Sequence, residues 1–316
     1  ELRGQPSLVS LEEVPRRTAE AWDRGATEVC MQGGIHPSFT GDTYLSLLEA
    51  AKVGAPGIHV HAFSPLEVHQ GASSLGMPVQ TFLQRLKSAG LGSLPGTAAE
   101  VLDDDVRKVL CPDKLNSEEW CDIVVAAHEI GLPTTSTIMF GHCDSYRSWA
   151  RHLCRLRDLQ AQTGGLSEFV PLAFVHMEAP LFRRGLARRG PTLREAILMH
   201  AVARLARLGI DNIQASWVKM GPQHAASLLA AGANDMGGVL MNESITRAAG
   251  AQHGQELSAA AIETLVRAAG RTPWQRTTLY QPAPPGQAQR ALETSGRLLE
   301  PLQTMPAFPA AAGSVL

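Results

Sequence analysis

The chain has 316 residues, 44% of them hydrophobic and 18% charged, with a formal net charge of −2. That balance carries no basic footprint for nucleic acid, and no run of about 18 apolar residues is present to cross a membrane as a helix. The five cysteines, Cys30, Cys111, Cys121, Cys143 and Cys154, are odd in number and their spacings match no disulfide or zinc framework, so a soluble, intracellular chain in a reducing compartment is expected, in cytoplasm or organelle.

Residues 10–24 read as a helix, with Ser10 as its cap, Glu13 as the capping-box partner and Gly25 as its stop. Seven apolar runs follow, at 28–32, 58–63, 90–94, 135–140, 169–175, 212–218 and 234–240. Each precedes a helix-like stretch. The helices fall at 41–52, 65 onward and 78–89, 98–110, 116–130, 146–162, 192–208, 222–231 and 258–269. Ser64-Pro65 is a cap followed by proline in its favoured first turn. In 116–130 the apolar Trp120, Ile123, Val124, Ala127 and Ile130 share one face. From Gln281 the chain is rich in Pro, Ala, Gly and Gln, with one short helix-like piece at 287–299, and reads as peripheral or disordered.

Strand and helix alternating this regularly define an α/β fold, a (β/α) TIM-type barrel. The unit expected at the front of the series is missing. The N-terminus, Glu1-Leu2-Arg3-Gly4, has neither an initiator Met nor a signal-peptide pattern, and reads as cut from something longer. The expected organisation is a barrel over 1–280, incomplete at its N-terminus, and a Pro/Ala-rich tail over 281–316.

Active sites of such barrels lie where the strands end, and the unusual residues cluster there. Gly33-Gly34 directly follows a strand, where two glycines let a ligand approach the backbone and leave amides free to bond it. Residues 94–100 join a strand end to the expected start of the 98–110 helix, whose amides favour an anion. Glu100 there suits ribose hydroxyls or an amine, and Arg107 suits a carboxylate. Glu100 and Asp103–Asp105 equally suit the positive end of a helix without any ligand. His59 and His61 alternate on one strand and point the same way, which suits either a metal or a polar barrel filling. His142 follows one strand, His176 and Glu178 another, Ser216, Trp217 and Lys219 a third, and Asn234, Asp235, Asn242 and Glu243 surround the last. A ring of so many donors and acceptors suits a polar, hydroxylated ligand. Each of these residues alone also reads as a loop-bonding side chain.

Several long stretches in order carry a resemblance: 28–37 (EVCMQGGIHP), 92–100 (GSLPGTAAE), 136–142 (STIMFGH), 174–180 (FVHMEAP), 214–219 (QASWVK) and 233–238 (ANDMGG). They resemble the second radical S-adenosylmethionine module of the FO synthase family, over roughly residues 7–280. The family shares its tyrosine-cleaving logic with the thiazole tyrosine lyases, and its barrel resembles the aminofutalosine-forming enzymes. The resemblance implies a 4Fe-4S cluster and S-adenosyl-L-methionine as cofactors, the cluster cleaving S-adenosylmethionine to a 5′-deoxyadenosyl radical. It implies hydrogen abstraction from the amino group of L-tyrosine, loss of 2-iminoacetate, and addition of the 4-hydroxybenzyl radical to 5-amino-6-(D-ribitylamino)uracil. A partner radical module, fused or separate, then closes the ring of the deazaflavin FO.

Carried over residue by residue, the resemblance assigns Gly33 and Gly34 to the methionine amino group and Glu100 and Arg107 to the rest of S-adenosylmethionine. It assigns His142, His176, Glu178, Ser216, Lys219, Asn234 and Asn242 to the pocket for tyrosine and the ribityluracil. No catalytic residue is assigned. The family's Cys-x-x-x-Cys-x-x-Cys cluster loop has no counterpart in the sequence, so its cysteines are expected upstream of Glu1 and the chain by itself is expected to be inactive. The alternative reading is a cluster-less, non-catalytic barrel that binds substrate or a partner module. A third is an unrelated metal-dependent barrel using His59 and His61.

Overall fold

A computed structural model describes residues 7–306 apart from Gly34, Pro37 and Ser244. In chain order the elements are β1 (Ser7–Val9), α1 (Glu13–Asp23), β2 (Glu28–Met31), α2 (Gly41–Gly54), β3 (His59–Ala62), α3 (Pro65–Ser74), α4 (Val79–Ser88) and β4 (Leu91–Ser93). Next come α5 (Asp104–Leu110), α6 (Ser117–Glu129), β5 (Thr134–Phe140), α7 (Tyr146–Thr163), β6 (Leu166–Ala173), α8 (Pro180–Arg183) and α9 (Leu193–Leu205). The chain continues through α10 (Trp217–Met220), α11 (Pro222–Ser227), α12 (Ile245–Ala248), α13 (Ala259–Ala268), α14 (Gln287–Glu293) and β7 (Thr304–Pro306).

β2, β3 and β4 form a parallel sheet with Glu28 opposite His59 and Met31 opposite Ala62. β5 and β6 form a second parallel pair. Single parallel bridges complete the arc: Leu94 with Thr134, Phe169 with Ile213, and Gln214 with Asp235. The result is a curved wall of seven consecutive strand positions, with helices outside, that does not close between Asp235 and Glu28 among the described residues.

Local signals explain the helices that were legible. Ser64 and Glu67, Asn116 and Glu119, and Thr192 and Glu195 each form a capping box. Gly164 ends α7 in the left-handed conformation, where glycine has no Cβ penalty. The expected apolar face of α6 is buried at Trp120, Ile123, Val124 and Ala127. Ser10 accepts the Glu13 amide at 3.2 Å, but the helix starts at Glu13 with Glu12 at its cap position, and the Glu13 carboxylate accepts Arg16 Nε at 2.7 Å instead of closing a capping box.

Three expectations are corrected. The helix expected over 98–110 begins only at Asp104, with Asp103 as its cap. Ala98 and Glu100 have φ of 62° and 46°, which no helix admits, because this segment crosses the end of β5: the Glu100 carbonyl accepts the Met139 amide at 2.8 Å. The runs at 212–218 and 234–240 reduce to single bridges. Ser216 turns the first into α10, and Gly237, at φ 73°, interrupts the second. Finally, the described part of the tail, residues 281–306, is docked on the barrel. α14 lies on the α1–β2 turn, where Gln287 is buried and donates to the Ala26 carbonyl at 2.8 Å. A Cβ on Gly25 would meet backbone atoms of Gln287 and Ala291 at 2.5 Å, and β7 pairs antiparallel with β1. These contacts are polar and non-local, so no apolar period announced them. Deleting residues 282–316 is therefore expected to lower the melting temperature by more than about 5 °C; an unchanged thermal melt would show that the docking contributes nothing.

Candidate active site

The strands enclose an open cavity of about 2890 Å³. Its wall follows the two-residue period of the pleat: Thr135, Thr137 and Met139 from β5, then Glu168, Val170 and Leu172 from β6. Of the residues that the resemblance assigned, Gly33, Glu100, Lys219, Asn234 and Asn242 line it, as do His61, Asp235 and Glu243.

Gly33 is held by a side chain that the sequence reading passed over. Glu67 is buried and accepts the Gly33 amide at 2.9 Å through Oε1, and the Ser64 amide and hydroxyl at 2.7 Å through Oε2. One carboxylate thus caps α3 and pins the glycine loop, and the Gly33 amide is not free for a ligand. Gly34 lies outside the described residues. Glu100 accepts the Lys114 ammonium at 2.7 Å.

Among the described residues, four cavity-lining polar atoms are buried with no hydrogen-bond partner: Arg17 Nε, Tyr44 Oη, Thr97 Oγ1 and Asn242 Oδ1. Leaving such atoms unpaired costs about 1–3 kcal/mol each, which a polar ligand would recover. Burial pushes the Tyr44 hydroxyl up to about 12, so it remains a donor. Tyr44 and Thr97 were missed, although Thr97 lies inside one of the diagnostic stretches. Lys219 Nζ donates to Thr246 Oγ1 at 2.8 Å, and Thr246 Oγ1 donates to Glu243 Oε1 at 2.7 Å.

The other singled-out residues do not line the cavity, or use their polar atoms on the fold. Arg107 is buried and directs its guanidinium to the carbonyls of Ala98, Ala99 and Leu115. It is a brace for the 98–115 segment, not a carboxylate receiver, because no charged partner faces it in the bonds it makes. His142 is buried, with Nε2 2.9 Å from the Met139 carbonyl and Nδ1 accepting the Cys143 amide at 2.7 Å. Burial lowers its pKa, so it stays neutral. His176 packs edge-on to Phe182, Glu178 pairs with Arg183, and Ser216 is the buried cap position of α10. Asn234 borders the cavity but lies at the start of its strand, the end opposite the strand tips. There its Oδ1 accepts the Ile213 amide at 2.8 Å and Arg204 at 2.9 Å. His59 and His61 both lie 2.7 Å from Ser93 Oγ, which satisfies them without a metal.

A second polar group fills the floor, and of its members the sequence reading singled out only Asp235. Glu168 accepts Tyr280 Oη at 2.6 Å, Gln214 at 2.9 Å and Arg276 at 3.2 Å, while Arg276 Nε donates to Asp235 at 2.5 Å. The Arg276 guanidinium lies 4.1 Å from the Tyr280 ring centre. Burial, reinforced by Asp235, pushes the Glu168 carboxyl up to about 7. The segment that brings Arg276 and Tyr280 also closes toward β2: Thr278 donates to Glu28 at 2.5 Å.

The chain is 55% identical, over 273 residues, to the 5-amino-6-(D-ribitylamino)uracil–L-tyrosine 4-hydroxyphenyl transferase of Methanopyrus kandleri, a match spanning 86% of this chain and 74% of that protein. The chain belongs to this transferase family. It is also 47% identical over 298 residues to the FO synthase of Streptomyces coelicolor, covering 94% of this chain and 34% of that protein, so it spans about a third of that relative's length. The radical SAM superfamily model matches residues 1–153, and the CofH/MqnC C-terminal region model matches residues 163–288. Among solved structures, methylornithine synthase superposes with a TM-score of 0.60 at 18% identity, covering 83% of this chain and 73% of that one, which shows the fold. The transferase is thus an α/β radical SAM enzyme of the TIM-barrel type. No helix of the described residues is long and apolar enough to cross a membrane.

The family implies two cofactors, and the described residues treat them differently. No three His, Cys, Asp or Glu side chains among them converge to hold a metal ion, so they do not fit a 4Fe-4S cluster. The cavity does fit a polar organic cofactor, because Tyr44, Thr97 and Asn242 present unpaired oxygens to it.

Proposed function

We propose that the chain joins the 4-hydroxybenzyl group of L-tyrosine to 5-amino-6-(D-ribitylamino)uracil in the biosynthesis of the deazaflavin FO. The observation that carries this reading is the 55% identity, over 86% of the chain, to a transferase named for those two substrates. Cavity size supports it. A site for one small ligand occupies about 300–1,000 Å³, and about 2890 Å³ leaves room for S-adenosylmethionine and both substrates together.

S-adenosylmethionine, once bound and reductively cleaved, would supply the one-electron, hydrogen-abstracting chemistry. The chain's own residues bind and orient. Gly33, fixed by Glu67, meets the methionine amino end together with Gly34, and Glu100 meets the ribose. Tyr44 donates a hydrogen bond, while Asn242 accepts one through Oδ1, which suits the N–H groups of the aminouracil. Thr97 suits the ribityl hydroxyls. The ring-closing partner is the other radical SAM module, fused or separate.

The test is calorimetric titration of the chain with tyrosine and with the ribityluracil, in the presence of S-adenosylmethionine. Saturable binding of both is expected, with ribityluracil affinity falling about tenfold in Asn242→Leu, the loss of one buried hydrogen bond. Failure of both substrates to bind would overturn the reading.

A further inference from the structure

The Lys219 amine sits in an unusual position for a lysine: inside the cavity wall and one hydroxyl away from a carboxylate. It lies on α10, immediately after the sixth strand position, Ile213-Gln214. Its Nζ donates to Thr246 Oγ1 at 2.8 Å, and Thr246 Oγ1 donates to Glu243 Oε1 at 2.7 Å. Glu243 also accepts the Thr246 amide at 3.0 Å. The Thr246 proton is therefore committed to the carboxylate and its lone pair to the lysine, so the chain of bonds has one direction. As a neutral amine the Lys219 nitrogen keeps a lone pair, and among the described residues its hydrogen bond is the one it donates to Thr246.

Resting on the tyrosine reading above, we propose that Lys219 is a catalytic residue that accepts a proton from the α-ammonium of bound tyrosine. One ammonium N–H bond breaks and its electron pair stays on the tyrosine nitrogen. A new N–H bond forms on the Lys219 lone pair. The positive charge moves to Lys219, where Thr246 relays the field of Glu243. Tyrosine is left with a neutral amine, the form whose N–H hydrogen can be removed as an atom.

Two further facts agree with this. Burial pulls the Lys219 amine below the ordinary lysine range, opposed by the carboxylates of Glu243 and Glu100 that face it. Glu100 is itself paired with Lys114, which blunts its pull. A lysine bonded directly to Glu243 would be held as an ammonium; the interposed Thr246 weakens that hold.

The experiment is nitrogen NMR of 15N-labelled L-tyrosine bound to the chain between pH 6 and 9. In the wild type the bound amine is expected to be neutral at a pH where free tyrosine is still an ammonium. Lys219→Met, which keeps the aliphatic stem, should return the bound amine to the free titration. Thr246→Val, which leaves the lysine but cuts the relay, should shift it part of the way back. In the full enzyme Lys219→Met should lower kcat by 100-fold or more, with the tyrosine Kd changed less than fivefold. Bound tyrosine that stays an ammonium in the wild type, or titrates identically in both variants, would overturn the proposal while leaving the tyrosine site standing. No tyrosine signal shift at all would overturn the substrate reading and this role with it.

Discussion

Arg276→Met is expected to destabilise the fold by about 3–5 kcal/mol, the cost of stripping the partner from a buried charge, and to lower the melting temperature by roughly 10 °C. The reason is geometric. Arg276 is the one cation bonded to both Glu168 and Asp235, at 3.2 and 2.5 Å, on two strand positions that are not adjacent in sequence. Without it two carboxylates face each other inside the barrel. Because Tyr280 and Thr278 ride on the same segment, the tie to Glu28 across the open side of the wall loosens as well. A fall of less than about 2 °C would show that the floor network is replaceable.

The same network sets a pH dependence of known sign. Burial and Asp235 raise the folded-state carboxyl of Glu168 from about 4.5 to about 7. Between those values the folded chain holds a proton that the unfolded chain has released. The stability this gives is complete below about pH 4.5 and is lost as pH rises through about 7. Glu168→Gln keeps the shape and removes the titration. Wild-type stability minus that of Glu168→Gln should therefore fall by up to about 3 kcal/mol between pH 4.5 and 7.5. The comparison with the variant cancels the opposite trend from His128 and His152, whose burial holds them neutral down to about 4 and 3. A flat difference across that window would remove Glu168 as a titrating group.

Arg107→Met should cost about 3 kcal/mol or more, since each carbonyl left unpaired in the interior costs about 1–3 kcal/mol. The guanidinium fork spans Ala98, Ala99 and Leu115 and so ties both ends of the irregular segment that carries Glu100. Trypsin is expected to cut after Lys108 or Lys114 several-fold faster in the variant. Arg107→Lys should recover only part of the loss, because an ammonium cannot reproduce the planar fork. Cleavage at the wild-type rate would mean that the segment is held by something else.

The sequence by itself determined the repeating βα order, because burying one side of every strand and helix leaves a periodic trace. It also located β2, β3, β5, α3, α6 and α7, whose caps and apolar faces are local. The stretches behind the family resemblance likewise pointed to the cavity: Gly33, Glu100 and Lys219 line it. What only the tertiary structure decided is how each polar side chain is used. Arg107 and His142 turn to backbone carbonyls, Asn234 works at the strand starts, and Glu67 reaches back 34 residues to hold Gly33. Arg276 and Tyr280 meet Glu168 across more than a hundred residues. Hydrogen bonds between residues so far apart impose no period on the chain. They become visible only when the strands have brought their partners to the same interior.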